Sequence, residues 1–478
     1  MNFNFTVGAL TCLLAFTFST AQAQEKMWTL DECVNYAIDN NVQVKQSELQ
    51  LKISKSNQQV AYWDYAPNLN FNSSYGWNFG LNIDPVTNQI SQSQRQTGNF
   101  NLNSTWVLYN GGRKYNSITR SNLDYLAAMY SLEDVKNDVS LNVAGAFLQI
   151  LLNKEILNVA LEQERITQLQ LGRMQRLVDA GARPLGDKLQ LDAQFSRDQQ
   201  NRITAENAVT ISKLQLANLL QLEKPEELEV SEPQLAVPEA DAILRDASVV
   251  YNTALSNQPS IKAAEKRVES SEESVDISRS GALPTLSLQG LIGTSYSDQI
   301  LRPTGTVTTV VPIGTVDGTN QVVYSAVPQE IPTGYENKPF SDQINDNLNE
   351  YIGINLTIPL FNRLSTHNNY EIARLNRDIS KLQLEQEKNA LRQTIYQAHA
   401  DAKASYNSYL AAEKAVEASE ESFKYAQQRY DVGALSQFDY ENAKNNLASA
   451  KSEMLRAKYD YIFKIKVLEF YLTNQVKL

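Results

Sequence analysis

NLNFNSSYGWNFGLN, residues 68–82, has an apolar side chain at every odd position from Leu69 to Leu81 except Ser73, and Asn, Ser or Gly at every even one. Period-two alternation marks a strand with two unlike faces. One face here is rich in rings (Phe71, Tyr75, Trp77, Phe79) and the other in uncharged amide. Three further segments share the pattern. In 98–109, Phe100, Leu102, Trp106 and Leu108 are in phase. In TLSLQGLIGTSY, 285–296, Leu286, Leu288, Ile292 and Tyr296 are in phase. In EYIGINLTIPL, 350–360, Ile352, Ile354, Leu356, Ile358 and Leu360 face one way and Gly353, Asn355 and Thr357 the other. Four strands are predicted.

These strands sit in an internal duplication. AIDNNVQVKQ (37–46) matches ALSNQPSIKA (254–263), and the register runs on to Ala66-Pro67-Asn68-Leu69 and Leu283-Pro284-Thr285-Leu286. A second register aligns Leu108-Tyr109-Asn110 with Leu360-Phe361-Asn362, Gly181-Ala182 with Gly433-Ala434, and Asp187 with Asp439. Several short matches in one register identify a repeat. Each half reads helix, strand, strand, very long helix, turn, helix. The halves are 24–221 and 250–478, joined by a Pro-containing linker at 222–249.

The long helices run from about Lys114 to Val178 and over 366–430. The first contains no Pro and has glycine only at Gly145 and Gly172; the second is free of both. Each makes a rod of order 100 Å at 1.5 Å per residue. Such lengths imply coiled packing. The run Ala144, Gly145, Ala146 reads as a small-residue seam for close helix approach. Gly181 and Gly433 end the rods with a positive-φ position, and Pro184 suits the start of the return helix. Asp187 and Asp439, six residues beyond the glycines, suit the first turn of that helix as acids favoured by its N-terminus.

Compartment and composition narrow the function. The opening MNFNFTVGALTCLLAFTFSTAQAQ has an apolar run over 7–18 and a small-x-small site at Ala21-Gln22-Ala23. It reads as a secretory signal over 1–23, although its first residues lack Lys and Arg. The run is short for a membrane anchor, and Cys12 lies inside it rather than at a lipidation point. The net charge of −11 argues against nucleic acid as a partner. The expected mature chain keeps one cysteine, Cys33, so no intrachain disulfide is expected. With His367 and His399 the only histidines, neither a His-rich metal site nor a Ser-His triad is expected. No catalytic residue, cofactor site or phosphate-binding loop is read, and no downstream transmembrane helix is predicted.

An exported chain with amide-faced aromatic strands fits a barrel whose apolar face meets lipid and whose polar face lines water. Tyr75, Trp77, Phe79, Trp106, Ile354 and Ile358 are the expected lipid-facing residues. Four strands cannot close a barrel around a passage, and lipid tolerates no open sheet edge. Three copies would supply 12 strands and gather the long helices into a hollow cylinder.

The chain resembles the TolC-type outer-membrane efflux protein family. The resemblance rests on Trp28-Thr29-Leu30-Asp31-Glu32-Cys33 with Ala37 and Asn40-Asn41, and on the repeat Ala254-Leu255-Ser256-Asn257-Gln258-Pro259. It rests also on the Ala66-Pro67 and Leu283-Pro284 strand entries, on Leu108-Tyr109-Asn110-Gly111-Gly112 and Ile358-Pro359-Leu360-Phe361-Asn362-Arg363 at the strand exits, and on Tyr430-Asp431-Val432-Gly433 ahead of Asp439. The resemblance implies a mixed α and β homotrimer: a 12-stranded transmembrane barrel continued by a long periplasmic α-helical barrel. Its partners would be a periplasmic adaptor and an inner-membrane pump or secretion transporter. The turns at 181–187 and 433–439 would be periplasmic tips, with Gly181, Ala182, Arg183, Leu185, Gly433, Ala434 and Leu435 docking the adaptor. Asp439 would stand at a pore constriction. Asn442 replaces the second acid that some members carry there, so one carboxylate ring is implied. Glu441 should lie on a different helix face.

The segment 297–345 should be an extracellular insertion whose Val307, Val310, Val311 and Ile313 pack on something, against a short polar counterpart at 83–97. Residues 222–249 should form the equatorial region. The competing readings are a solute-specific porin without a pump, a periplasmic coiled-coil structural protein and an enzyme. The first needs more strands, the second no aromatic strands, and the third an acid pair in a setting the sequence does not offer.

Overall fold

The computed structural model describes residues 27–83, 90–233, 236–238 and 246–474. The expected signal, 1–23, lies outside the described residues, as do parts of the 83–97 and 222–249 segments. In chain order the first half has β1 (Met27–Trp28), α1 (Leu30–Asn40), α2 (Val42–Trp63), β2 (Asn70–Ile83), β3 (Ile90–Asn110), α3 (Arg113–Asp179) and α4 (Leu185–Leu220). After a 3-10 turn come β4 (Glu229–Val230), α5 (Ala247–Asn257), α6 (Pro259–Ser280), β5 (Thr285–Ser297), β6 (Leu301–Thr309), β7 (Pro312–Thr315) and β8 (Val322–Tyr324). The chain ends with β9 (Gln329–Asn337), α7 (Phe340–Asp346), β10 (Asn349–Thr357), α8 (Ser365–Asp431) and α9 (Gln437–Thr473). Two compact units result: Met1–Gln50, Tyr130–Lys262 and Gln386–Leu478 form one, and Leu51–Met129 and Ala263–Glu385 the other.

The two long helices each run 67 residues, as the Pro-free runs predict. In the helical unit a core forms from Val250, Tyr251 and Ala254 on α5, Ile395, Ala398 and Ala402 on α8, and Tyr461, Ile465 and Leu468 on α9. Tyr461 satisfies its hydroxyl by donating to the Pro238 carbonyl at 3.0 Å. The seam at Gly145 permits close approach: a Cβ there would lie 3.2 Å from the Phe463 ring. One window of α3 is apolar enough by length and composition to cross a membrane. This departs from the sequence expectation. Of that window 39% is buried in the single chain, and on the same helix Val139, Val143, Phe147, Ile150 and Leu151 are buried.

The entry helix of each half is broken, which period alone did not reveal. Asn41 and Gln258 hold equivalent positions, and both have extended backbone at the break. Their buried amides are tied to the ends of the return helices. Asn41 Nδ2 donates to the Leu219 carbonyl (3.1 Å), and Gln258 Nε2 to Asn474 Oδ1 (3.1 Å). Asn474 Nδ2 in turn donates to the Asn257 carbonyl at 3.0 Å. The linker contributes a two-residue parallel bridge, β1 to β4, also unforeseen. Thr29 and Glu32 close a capping box at the start of α1.

The other unit carries an antiparallel four-stranded sheet, in the order β10-β5-β3-β2. All four expected strands are present with shifted ends. β3 starts at Ile90, so residues 90–97 are strand rather than loop. β10 ends at Thr357, leaving Ile358 outside the sheet, because Pro359 has no N–H to continue the ladder. A register shift between Val107 and Tyr109 puts Tyr109 opposite Leu286, so Leu108 drops out of the expected phase. At the exits Gly111 and Gly112 have φ +68° and +83°, and their repeat equivalents Arg363 and Leu364 have +56° and +62°. A Cβ on Gly111 would lie 2.6 Å from Leu283 Cβ and 3.0 Å from the Ser280 carbonyl.

Candidate functional site

The sheet is the first functional element. Register sets Phe71 opposite Leu102, Leu102 opposite Ile292, and Trp106 and Ile354 both opposite Leu288. Opposed residues share a face, so these apolar residues lie on one face of the sheet, which Gln96 and Gln94 (opposite Trp77 and Phe79) and Glu350 (opposite Ile292) share. Tyr75, Trp77, Phe79, Trp106 and Ile354 lie on it and are exposed in the single chain, Phe79 to 76%. Ile358 is exposed but beyond the strand. Trp106 still satisfies its indole by donating to the Tyr65 carbonyl at 2.7 Å. Tyr75 stacks on Tyr296 and meets Trp77 edge-on at 5.5 Å. The opposite face sets Asn72 against Asn101, with Asn72 Nδ2 donating to Asn103 Oδ1 at 2.9 Å, and Asn99 against Ser295. The same face carries Arg95, opposite Asn78, and Leu291, opposite both Asn103 and Tyr351.

The second element is the pair of hairpin turns in the helical unit. Each ends its rod with the same pair of backbone hydrogen bonds. Gly181 N donates to the Val178 carbonyl and Ala182 N to that of Leu177. Gly433 N donates to that of Tyr430 and Ala434 N to that of Arg429. This is the glycine-terminated helix end expected, with φ +70° and +78°. Pro184 sits at the cap of α4, one residue before its first helical position. Arg183 is half-buried and pairs with Asp187 at 3.6 Å. Gly181, Ala182, Leu185, Gly433 and Ala434 are exposed, and Leu435 is half-buried. Phe438, an apolar position of the second turn, is exposed, as is its neighbour Val432.

Asp439 lies in the first turn of α9, where Ser436 accepts from its N–H at 3.1 Å and donates to Oδ2 at 2.7 Å. It is exposed, as is Asn442. Glu441 turns inward, as its helix face requires. The Lys444 ammonium, 1% exposed, lies 2.6 Å from Glu441 Oε2 and 3.7 Å from Asp198 Oδ2, and donates to Thr167 Oγ1 at 2.6 Å. Gln194 Nε2 donates to Asp198 at 2.8 Å, and Gln437 Nε2 to Glu441 at 2.8 Å. Nearby, Gln170 Nε2 donates to Tyr440 OH at 2.6 Å and Arg173 pairs with Asp431 at 3.1 Å. Burial, helped by the Glu441 charge, pushes the Tyr440 phenol up to about 12. This network ties α3, α4, α8 and α9 above the turns. Glu441 and Lys444 are visible in sequence as an i,i+3 pair, but Asp198 is not. Among the described residues no cluster of His, Cys, Asp and Glu is arranged to hold a metal ion.

A four-stranded sheet with a largely apolar and a largely amide face, and two 67-residue helices with matched glycine-ended turns, point to a channel-forming envelope protein. The sequence profile described as "Outer membrane efflux protein" matches residues 33–221 and 250–465, so the chain belongs to that family. It is an outer-membrane efflux channel, and members of the family are channels rather than enzymes. The fold agrees. CmeC, the outer membrane channel of Campylobacter jejuni, is 18% identical with a TM-score of 0.72, over 93% of this chain and 85% of that one. CusC is 17% identical at 0.72, over 93% and 91%. The open-state MtrE outer membrane channel of Neisseria gonorrhoeae is 16% identical at 0.68, over 94% and 91%. Comparison with curated proteins gave no match.

Proposed function

We propose that three copies of this chain form the passive exit duct of a tripartite efflux machine. A pump and adaptor elsewhere do the work, and substrate leaves through the barrel. The observation that carries the reading is the sheet: one face is predominantly apolar and the other predominantly amide, with β2 and β10 as its edges. Buried in lipid, those edges need partners, and three copies supply them to one another. Tyr75, Trp77, Phe79, Trp106 and Ile354 face lipid; Asn72, Asn101 and Asn103 line the water path. Ile358 lies just below the strand at the lipid boundary.

The tips dock the adaptor through Gly181, Ala182, Arg183, Leu185, Gly433, Ala434 and Leu435, to which Val432 and Phe438 add exposed apolar area. Asp439, with the uncharged Asn442 beside it, places one carboxylate per copy at the constriction, and a carboxylate ring favours cations. Type I protein secretion uses the same kind of duct and is the second reading. Planar-bilayer recording of the purified protein tests the channel: a steady, voltage-tolerant conductance is expected, and its absence at any potential overturns the reading. Asp439→Asn keeps the acceptor for Ser436 and removes the charge. The ratio of cation to anion permeability should fall at least two-fold; an unchanged ratio removes Asp439 from the constriction.

A further inference from the structure

The insertion between β5 and β10 is an amphipathic ribbon with one uncovered face. β6 and β9 pair so that Val307 lies opposite Ile331 and Pro303 opposite Tyr335. Alternating with these, Arg302 lies opposite Glu336, in an ion pair at 2.8 Å, and Thr308 opposite Glu330. Opposed residues share a face; the register shifts between Pro303 and Thr306, and on either side of that irregularity an apolar rung, Pro303 with Tyr335 or Val307 with Ile331, sits next to a polar rung on the other face. Leu301, Val307, Ile331 and Tyr335 are all exposed, Tyr335 to 63%. Beyond them β7 and β8 form a second hairpin with Ile313, Val322 and Tyr324 exposed. An isolated two-stranded ribbon is marginal in water unless its apolar face is packed.

The base of the ribbon is fastened. Gln343 of α7, 1% exposed, accepts from Ser297 N and donates to the Ser297 carbonyl, both at 2.9 Å. Arg302 bonds Asp342 at 2.9 Å, and Phe340 packs its ring 5.2 Å from that of Tyr296. The ribbon therefore leaves β5 in a fixed direction and returns through α7 to β10. β10 is an edge strand, one of the two that must pair with a neighbouring copy in a closed barrel. From Pro303 to Gln329 the chain carries a single charge, Asp317, so copies brought together there meet little repulsion.

The geometry points to a second copy of this chain as the occupant of the apolar face: the three ribbons pack side to side into a collar above the barrel, each covering Val307 and Ile331 of its neighbour. The collar is an interface separate from the barrel edges, and it rests on the trimeric channel reading.

Cross-linking on intact cells expressing the full chain tests it. Single variants Val307→Cys, Ile331→Cys and Thr308→Cys are treated with a short bismaleimide, with the parent protein as blank because Cys33 is buried. The double variant Asn72→Cys, Asn355→Cys, across the β2 and β10 edges, is the control. Cross-linked dimer is expected several-fold more from positions 307 and 331 than from 308, and a ladder to trimer from the control. If the control cross-links while 307 and 331 stay monomeric, the collar is overturned, whether they label freely with an impermeant maleimide or are shielded by something else. If the control fails as well, the trimeric channel reading falls and the collar with it.

Discussion

Lys444 carries the sharpest consequence at the scale of single residues. Its ammonium is shut in the helical unit with two carboxylates and a hydroxyl. Removing one member of a buried ionic group strands the others, at about 3–5 kcal/mol. Lys444→Met should therefore lower the thermal melting of the purified protein clearly, while Lys444→Met with Glu441→Leu and Asp198→Leu should recover much of the loss. A titration reads the same neighbourhood. Tyr440 is held neutral by burial up to about 12, against 10 for an exposed phenol. The folded state thus keeps a proton that the unfolded chain gives up above pH 10. The stability from this group is complete below pH 10 and is lost as pH rises to about 12. Tyrosinate absorbance should show a late phase in the native protein, and Tyr440→Phe should shrink it. Little of this was legible in the sequence. Asp439 and Glu441 differ only by a helix face, which an approximate helix start could assign, but Asp198 and Thr167 reach Lys444 only through tertiary packing.

Elements were more legible than residues. Period two located β2, β3, β5 and β10, and the absence of Pro over some 65 residues located α3 and α8. Their ends were less so, because ends depend on local bonds: Pro359 stops β10 before Ile358, and an extra residue in β3 re-aims Tyr109. The break at Asn41 has no proline to announce it, whereas Pro259 stands at the break in the second half. Duplication also sets up an experiment between equivalent turns. Gly111 and Arg363, and Gly112 and Leu364, adopt the same left-handed backbone. Such a backbone costs a side-chain-bearing residue about 1–2 kcal/mol. Leu364 is exposed, so Leu364→Gly loses little packing and should stabilise by up to about 1 kcal/mol, after the glycine's own entropy. Gly111→Ala should destabilise by more, since its Cβ would collide with Leu283. Melting of the two variants in opposite directions is the expected result.

For the whole molecule, membrane insertion depends on which face of the sheet meets lipid. Trp77→Asp puts a carboxylate on the apolar face three times per trimer, at on the order of 1–2 kcal/mol each. The fraction recovered as assembled protein in the outer membrane should fall, while Asn72→Asp, on the amide face, should insert normally. Normal insertion of Trp77→Asp would put that face in the lumen instead. The family and its compartment were readable from the alternation at 68–82 together with the repeat. The insertion was readable only as apolar; its paired strands and fastened base came from the fold.

The sheet edges also have a genetic consequence. β2 and β10 of one copy must each find a neighbour, so no copy acts alone. In a cell making altered and unaltered chains together, an altered chain that still pairs at its edges enters most assemblies and impairs the good copies beside it. Defects at the tips or the constriction, which leave the edges intact, should therefore be dominant. Defects in β2 or β10 that stop pairing should be recessive, because the damaged chain removes itself before it can do harm.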